Sequence, residues 1–139
     1  MKKYLHKDLL AALSALTFIG VTNATAQNWQ ELYCDSTLRM DFIFAGNDKS
    51  QSIFLDKMKV SEGWHGRRVN MDALPLDGNG VICVTDAESK DTLYMHSFST
   101  LFQEWQTTEE ATQVSKSYEN TFLIPMPTKK VQVSVELKN

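Results

Sequence analysis

The chain has 139 residues, with 14 Lys and Arg against 17 Asp and Glu, and a formal net charge of −3. The acidic balance argues against a nucleic-acid-binding protein, because affinity for nucleic acid comes mainly from basic side chains that neutralise phosphates. It also disfavours adhesion to anionic lipid, and the length fits one domain rather than two.

The first 26 residues have the three parts of a secretory signal peptide. Lysines open the segment, an apolar run follows over residues 9–21, and alanines precede an expected cleavage site after Ala26. The apolar run is shorter than the roughly 20 residues of a membrane-spanning helix, so an uncleaved anchor is the weaker interpretation. We therefore expect export to the periplasm or beyond the cell, no membrane span, and one domain over residues 27–139.

Three strands are predicted before residue 75 from hydrophobic periodicity. The segment TLRMDFIFAGN (37–47) alternates apolar and polar residues, and one side of it carries Leu38, Met40, Phe42 and Phe44. The segment SIFLDKM (52–58) is a second, less regular candidate. The third is GRRVNMD (66–72), in which Val69 and Met71 alternate with polar neighbours.

Four more strands are predicted from the turn sequence DGNG (77–80) onward, whose residues tolerate positive φ. GVICVTD (80–86) and TLYMHSF (92–98) are β-rich runs separated by a polar loop, which predicts a hairpin. NTFLIP (120–125) is a strand closed by prolines. VQVSVEL (131–137) has three valines and a leucine in strict alternation, which is the clearest strand pattern in the chain.

One short helical segment is predicted among the strands. Leu101, Phe102 and Trp105 recur at helical spacing, and Thr107 with Glu110 matches a capping box for a second short turn. Many short strands with a single helical segment predict an all-β fold. We expect an antiparallel β-sandwich in the immunoglobulin-like style, with one short helical connector.

Two cysteines, Cys34 and Cys83, follow the signal peptide. Export permits a disulfide between them. They fall on different strands, however, and the sequence does not show whether those strands are adjacent. The alternative is a pair of buried free thiols, since an unpaired cysteine behaves as a small hydrophobic residue.

No pattern in the sequence indicates a catalytic centre or a metal site. His65 and His96 lack a partner histidine at the spacing of a zinc motif, so a site built from them, Cys83 and a carboxylate is the weaker interpretation. Three carboxylates in one segment would suit glycoside hydrolysis. A solvated face is the simpler interpretation of Glu104, Glu109 and Glu110. We therefore predict no catalytic and no metal-binding residues.

The best candidates for binding are aromatic and arginine side chains. The segment SEGWHGRR (61–68) places Trp64 near Arg67 and Arg68, a combination that suits a sugar, a carboxylate or a partner protein. Trp105 is a further candidate for binding or for contact between domains. The structural alternative is that Trp64 closes one end of the sandwich, that the arginines pair with carboxylates, and that Trp105 belongs to the core.

The most specific similarity to known proteins lies in short motifs: GW (63–64), GRR (66–68), LPL (74–76), SFS (97–99), LFQEW (101–105) and ENTF (119–122). With the residues between them, over 35–138, they resemble the amino-terminal domain of the IgA-peptidase family, metallopeptidase family 64. Those proteins are secreted zinc endopeptidases common in Bacteroidetes. The resemblance implies a β-sandwich domain that precedes a separate catalytic domain with an HExxH zinc motif.

The chain departs from that family pattern because its 139 residues contain no HExxH motif. The resemblance therefore carries over no catalytic or metal residue, and it implies zinc only in the absent catalytic domain. We expect a fragment, a truncated product or a stand-alone copy that acts as a non-catalytic accessory or interaction domain. Its expected partner is a peptidase catalytic domain or another protein. The alternatives are a stand-alone module that binds carbohydrate or glycoprotein, and an enzyme with an undetected site.

Overall fold

A computed structural model describes residues 28–138 of the protein. The predicted signal peptide, residues 1–26, lies outside the described residues. In chain order the elements are α1 (Trp29–Leu32), β1 (Tyr33–Gly46), β2 (Gln51–Glu62), β3 (Gly80–Asp86), β4 (Thr92–Phe98), α2 (Leu101–Gln106), a 3-10 helix (Glu109–Thr112), β5 (Lys116–Pro127) and β6 (Val131–Leu137). None of the helices in this part of the chain is long and apolar enough to cross a membrane.

The strands form two antiparallel sheets of three strands each. In the first sheet β1 lies between β2 and β5, and in the second β3 lies between β4 and β6. The buried hydrophobic cluster takes side chains from both sheets. The predicted antiparallel β-sandwich with a short helical connector is therefore confirmed.

Most of the core side chains alternate along the strands, as the two-residue period of a strand requires, and a bulge at Leu93 of β4 adds one more. The first sheet contributes Met40, Phe42, Phe44, Phe122 and Ile124. The second sheet contributes a set that is at most 4% exposed: Ile82, Val84, Leu93 and Tyr94. The Phe44 ring meets that of Phe122 edge-on, with centroids 6.4 Å apart. Burial of these large rings supplies much of the hydrophobic stabilisation.

The helical connector α2 closes one side of this core, as predicted. Phe102 is fully buried and Trp105 is 8% exposed, and the ring centroid of each lies 5.9 Å from that of Tyr118 on β5. The hydroxyl oxygen of Thr100 caps the helix by accepting a hydrogen bond from the Gln103 amide at 3.1 Å. This cap satisfies one of the backbone donors that a helix start leaves unpaired.

The capping box predicted at Thr107 and Glu110 is not formed. Thr107 instead donates its hydroxyl hydrogen bond to the Glu104 carbonyl at 2.7 Å. The 3-10 helix begins after Thr108, which makes no side-chain cap. The same sequence pattern, a polar residue followed three residues later by Glu or Gln, occurs at Thr100 and Gln103. At that position the side-chain cap does form.

The third predicted strand, residues 66–72, is wrong. Residues 63–79 form an irregular segment between β2 and β3, which we call the β2–β3 loop. Val69 is 71% exposed, and Asn70 adopts a left-handed conformation with φ of 49°. Such a conformation does not occur in a regular strand. Of the two alternating apolar residues, Val69 and Met71, only Met71 is buried. The short alternation of apolar and polar residues therefore does not correspond to one face of a sheet.

The two cysteines lie in different sheets. Cys34 is exposed on β1, Cys83 is partly buried on β3, and both thiols are free. The structure therefore contains no bridge between Cys34 and Cys83, the disulfide that export would permit. Burial raises the pKa of the Cys83 thiol, which lowers its reactivity as a nucleophile.

Strand β2 forms the outer edge of the first sheet and carries little of the core. It pairs with β1 along its length, with one bulge opposite Asp41 and Phe42. Its exposed apolar side chains are Phe54 (57%), Leu55 (48%), Met58 (59%) and Val60 (53%). Leu55, Met58 and Val60 lie on the core side of the sheet, so their exposure shows that the sheet at β2 extends beyond the area that the second sheet covers.

Candidate functional site

Arg67 holds the β2–β3 loop in one conformation through bonds to the backbone. Its Nη1 donates to the carbonyls of Asn70 and Ala73, both at 2.7 Å. Its Nη2 donates to the carbonyls of Met71, at 3.2 Å, and of Met95 on β4. The planar guanidinium suits such a fork of acceptors. Arg67 therefore joins the loop to the second sheet.

Trp64 ties the same loop to the core. It is 6% exposed, its indole Nε1 donates to the Arg67 carbonyl at 2.9 Å, and its ring meets that of Tyr94 edge-on with centroids 6.1 Å apart. A Cβ at Gly66 would lie 2.2 Å from the Trp64 ring, so the backbone can pass the indole only because residue 66 is glycine. Trp64 thus closes one end of the sandwich.

Arg68 lies at the surface and links the loop to the start of β1. Its Nη2 donates to the Asp35 carboxylate at 2.7 Å and to the Trp64 carbonyl at 3.0 Å. The guanidinium carbon lies 5.0 Å from the centroid of the Trp29 ring. A hydrogen bond from the Trp64 amide, with the charge of Arg68, lowers the pKa of the Asp35 carboxyl below its ordinary value. The Asp35 carboxylate therefore stays charged at neutral pH.

A cleft of about 620 Å³ opens beside the β2–β3 loop. Residues of the loop and of both sheets line it: Thr37, Trp64, His65, Gly66, Arg67, Pro75, Ile82, Tyr94, His96, Thr121, Phe122 and Leu123. Most of these side chains are apolar or aromatic. Pockets of this size and character are typical of binding sites, so the cleft is the candidate functional site of the domain.

Two titratable groups of the cleft, His96 and Tyr94, have pKa values shifted in favour of their neutral forms. Burial, followed by the nearby charge of Arg67, lowers the pKa of His96 below its ordinary value. Burial raises the pKa of the Tyr94 phenol. Arg67 brings a positive charge to the cleft, and its guanidinium carbon lies 5.3 Å from the centroid of the Tyr94 ring.

Three apolar side chains of the β2–β3 loop project into solvent near the cleft. They are Val69 (71% exposed), Leu74 (36%) and Leu76 (76%). The Leu76 carbonyl is fixed because it accepts a hydrogen bond from Ser97 of β4 at 2.6 Å. Exposed apolar groups on a fixed loop are typical of a surface that meets another protein.

Trp105 lies away from the cleft, in the interior of the connector. Its Nε1 donates to the Glu110 carboxylate at 2.8 Å, and Glu110 also pairs with Lys116 at 2.5 Å. The hydrogen bond from Lys116, followed by that from Trp105, lowers the pKa of Glu110. The carboxylates expected in solvent, Glu104, Glu109 and Glu110, are all exposed.

The residues considered for a metal site do not converge. His96 pairs with Ile82 and points to the inner side of the second sheet, whereas the neighbouring Cys83 points to the outer side. His65 and His96 both line the cleft. Across residues 28–138, no three His, Cys, Asp or Glu side chains come together closely enough to hold a metal ion.

Sequence reasoning singled out Trp64, Arg67 and Arg68, which the structure brings together, and Trp105, which it places elsewhere. It missed Tyr94, the aromatic wall of the cleft. The alternation in TLYMHSF puts Tyr94 and His96 on one face, and this signal was present in the sequence. Nothing in the sequence indicated Thr37, whose buried hydroxyl donates to the Gly63 carbonyl at 2.6 Å.

The sequence of the chain also matches a model of a known protein family. Residues 28–139 match the family model described as the peptidase M64 N-terminus. The match therefore covers the loop, the cleft and both sheets. A search of the curated proteins finds no significant match.

Proposed function

The chain belongs to the peptidase M64 N-terminus family, and from this premise we propose that it is an exported, non-catalytic accessory domain of a zinc peptidase. In this proposal it packs against a peptidase catalytic domain and presents a fixed binding surface. The observation that carries the proposal is the extent of the family match, which spans residues 28–139 and thus every element described above. The resemblance predicted from the short motifs agrees with this match.

Zinc belongs to the catalytic domain in this proposal. The described residues 28–138 offer no set of ligands that fits a zinc ion, since His65 and His96 are joined by no third ligand. A catalytic zinc site needs three protein ligands and an open position. We therefore assign no chemical step to the residues of this domain.

The face formed by the β2–β3 loop is the surface that we propose for the catalytic domain. Its support is the exposure of Val69 and Leu76 on a loop whose backbone Arg67 holds in place. A loop that is already fixed loses little conformational entropy when a partner binds. More of the free energy of its apolar contacts therefore contributes to the affinity. Trp64, Arg67 and Arg68 then act by positioning this surface.

The alternative of a carbohydrate-binding module has less support. A sugar ring stacks on an exposed aromatic face, but Trp64 is 6% exposed and Trp105 is 8% exposed. Arg67 directs both Nη atoms to four backbone carbonyls and keeps only its buried Nε without a partner, so little of its guanidinium is left for a glycan.

The test begins with purified residues 27–139. We expect no stoichiometric zinc by elemental analysis and no chelator-sensitive hydrolysis of casein. Binding to the separately expressed catalytic domain of an M64 peptidase is then measured by isothermal titration calorimetry. The double variant Val69→Ser/Leu76→Ser should weaken binding by roughly tenfold or more, because it removes two apolar contacts.

The matched control is Val114→Ser, which changes a 45%-exposed valine near the opposite end of β1. It should leave the affinity for the catalytic domain unchanged. Zinc-dependent hydrolysis by residues 27–139 would overturn the non-catalytic role. Equal affinity of the loop variant and the wild type would overturn the proposed surface, and a glycan that binds while the catalytic domain does not would favour the alternative.

A further inference from the structure

Strand β2 is the most exposed sheet edge in the described part of the chain. It runs for 12 residues without a proline or a glycine. The opposite edge strand of its sheet, β5, carries Pro125 and Pro127, and the edge strands β4 and β6 of the second sheet have 7 residues each. Proline and short length are two of the protections of a sheet edge against pairing, and charged side chains and bulges are others. β2 lacks the first two, and its charged side chains and bulge are compatible with the pairing described below.

The inner face of β2 adds a strip of apolar side chains to this edge. Ile53, Leu55, Met58 and Val60 pair with Phe44, Phe42, Met40 and Leu38 of β1, and we call these four β2 residues the apolar ledge. They point to the same side of the sheet as the core, yet Leu55, Met58 and Val60 are 48–59% exposed. The ledge therefore continues the core into solvent.

The bulge gives β2 an internal symmetry. In a regular strand Leu55 and Met58 would point to opposite faces, because side chains alternate. Asp41 pairs with Lys57 while Phe42 pairs with Leu55, so Asp56 is an extra residue and both apolar neighbours point inward. A two-fold axis perpendicular to the sheet, placed beside the bulge on the open edge of β2, therefore maps the ledge of one copy onto the ledge of another.

We propose that β2 pairs antiparallel with β2 of a second copy about this axis. Such a pair joins the two first sheets into one continuous sheet of six strands. Leu55 then lies opposite Met58 of the second copy, and Ile53 lies opposite its Val60. Both ledges fall on the same side of the joined sheet, so the apolar side chains of the two copies lie side by side and contact each other across the new strand pair.

The charges of β2 favour a second copy over an unrelated occupant. At the centre of the pairing Asp56 lies opposite Lys57 of the second copy, and the same contact is repeated by symmetry. Phe54 lies opposite Lys59, Ser52 opposite Ser61, and Gln51 opposite Glu62. No like charges meet at any position of this register, and cross-strand pairs of opposite charge stabilise a sheet. Because the interface uses the same strand in both copies, it closes at a dimer.

This proposal goes beyond the accessory role and does not rest on it, since it uses β2 rather than the β2–β3 loop. Sedimentation velocity on residues 27–139, up to about 0.1 mM, should show a dimer whose population rises with concentration. A monomer over the whole range would overturn the proposal.

The register is tested with two charge variants, Asp56→Lys and Lys57→Asp. Both side chains are exposed, at 46% and 67%, and within one copy they pair with each other at 3.4 Å, while Lys57 also lies 3.8 Å from Asp41. Far-ultraviolet circular dichroism and urea unfolding therefore check that each variant folds before its dimerisation is compared. Each variant alone places like charges at both symmetric contacts and should weaken dimerisation by roughly tenfold. An equimolar mixture restores Asp–Lys contacts at both positions, so it should recover a heterodimer with near wild-type affinity.

The matched control is Lys49→Asp, a charge reversal in the hairpin that precedes β2. It should dimerise like the wild type. A dimer that both charge variants leave unchanged, or a mixture that recovers nothing, would show that the copies associate elsewhere or in another register. Either result would overturn this pairing.

Discussion

At the scale of single residues, Arg67 organises more backbone than any other side chain described above. It donates to carbonyls of Asn70, Ala73, Met71 and Met95, which span both the β2–β3 loop and strand β4. Lysine carries the same charge but cannot form this planar fork. The shape of the loop therefore depends on the guanidinium group and not only on a positive charge.

The substitution Arg67→Lys should destabilise the domain by about 3 kcal/mol, because it leaves part-buried carbonyls without donors. Urea unfolding followed by tryptophan fluorescence measures the change. The control is Arg68→Lys, which alters an exposed pair with Asp35 and should cost less than about 1 kcal/mol. Equal costs at the two positions would contradict the role given to Arg67.

Asp41 gives the domain a predictable response to acid. Hydrogen bonds from Arg39, at 2.7 Å, and from Thr121, at 2.6 Å, lower the pKa of its carboxyl in the folded state. An aspartate in the unfolded chain has a pKa of about 3.9. The stabilising contribution is therefore complete above that pH and is lost as the pH falls through the lower folded-state pKa.

The substitution Asp41→Asn should flatten this acid dependence. Urea midpoints of wild type and variant, measured between neutral pH and about pH 2, should differ most above pH 4 and converge in acid. Asp48→Asn, which changes an exposed carboxylate in the β1–β2 hairpin, serves as control and should follow the wild type. Parallel curves for Asp41→Asn and wild type would contradict the assignment.

At the scale of elements, α2 stabilises the sandwich through one face only. Phe102 is fully buried, whereas its neighbour Leu101 is 69% exposed. We expect Phe102→Ala to cost about 3–5 kcal/mol of unfolding free energy because it leaves a cavity between the sheets. Leu101→Ala should change stability by less than about 0.5 kcal/mol.

The same urea unfolding measures both variants of α2. If Phe102→Ala does not fold, Phe102→Leu provides the measurement, with an expected cost of about 1–2 kcal/mol. A cost at Leu101 that equals the cost at Phe102 would show that the helix does not pack as described.

The elements that could be predicted from the sequence are those whose pattern is complete within a few residues. The bounds of β3, β4 and β6 agree with the runs GVICVTD, TLYMHSF and VQVSVEL. The strands β1 and β5 begin four residues earlier than predicted, at Tyr33 and Lys116. Tyr33 is held by a contact distant in sequence, since its hydroxyl donates to the Leu93 carbonyl at 2.6 Å. No local pattern contains that information.

The candidate site was only partly predictable for the same reason. The sequence indicates that the motif from Trp64 to Arg68 is important. Whether these side chains contact a ligand or support the fold depends on which groups they contact. Arg67 meets carbonyls of its own loop and of β4, and Trp64 meets Tyr94. These partners are up to 30 residues apart in sequence, so spacing alone could not identify them.

At the scale of the whole molecule, the two sheets are held together without a covalent link between Cys34 and Cys83. We expect iodoacetamide to modify the exposed Cys34 rapidly in the native protein and Cys83 only slowly, because Cys83 is partly buried and its thiol pKa is raised. Mass spectrometry should find two adducts after unfolding without reductant. In Cys34→Ser the rapid adduct should be absent.

Reductant should leave the urea midpoint of the wild type unchanged, since no bridge contributes to stability. An intramolecular Cys34–Cys83 peptide in the non-reduced digest, or a midpoint that falls when reductant is added, would contradict this description of the molecule.

The way the β2–β3 loop is anchored has a consequence for the diversification of such domains. Its path is set by Arg67, Trp64 and the contact at Gly66, while Val69, Leu74 and Leu76 point outward and support none of these contacts. One set of residues in this loop therefore holds its conformation, and a separate set is exposed and available to contact a partner. We expect related sequences to exchange Val69 more freely than Trp64, Gly66 and Arg67, so that the surface can adapt to a new partner while the path of the loop is kept.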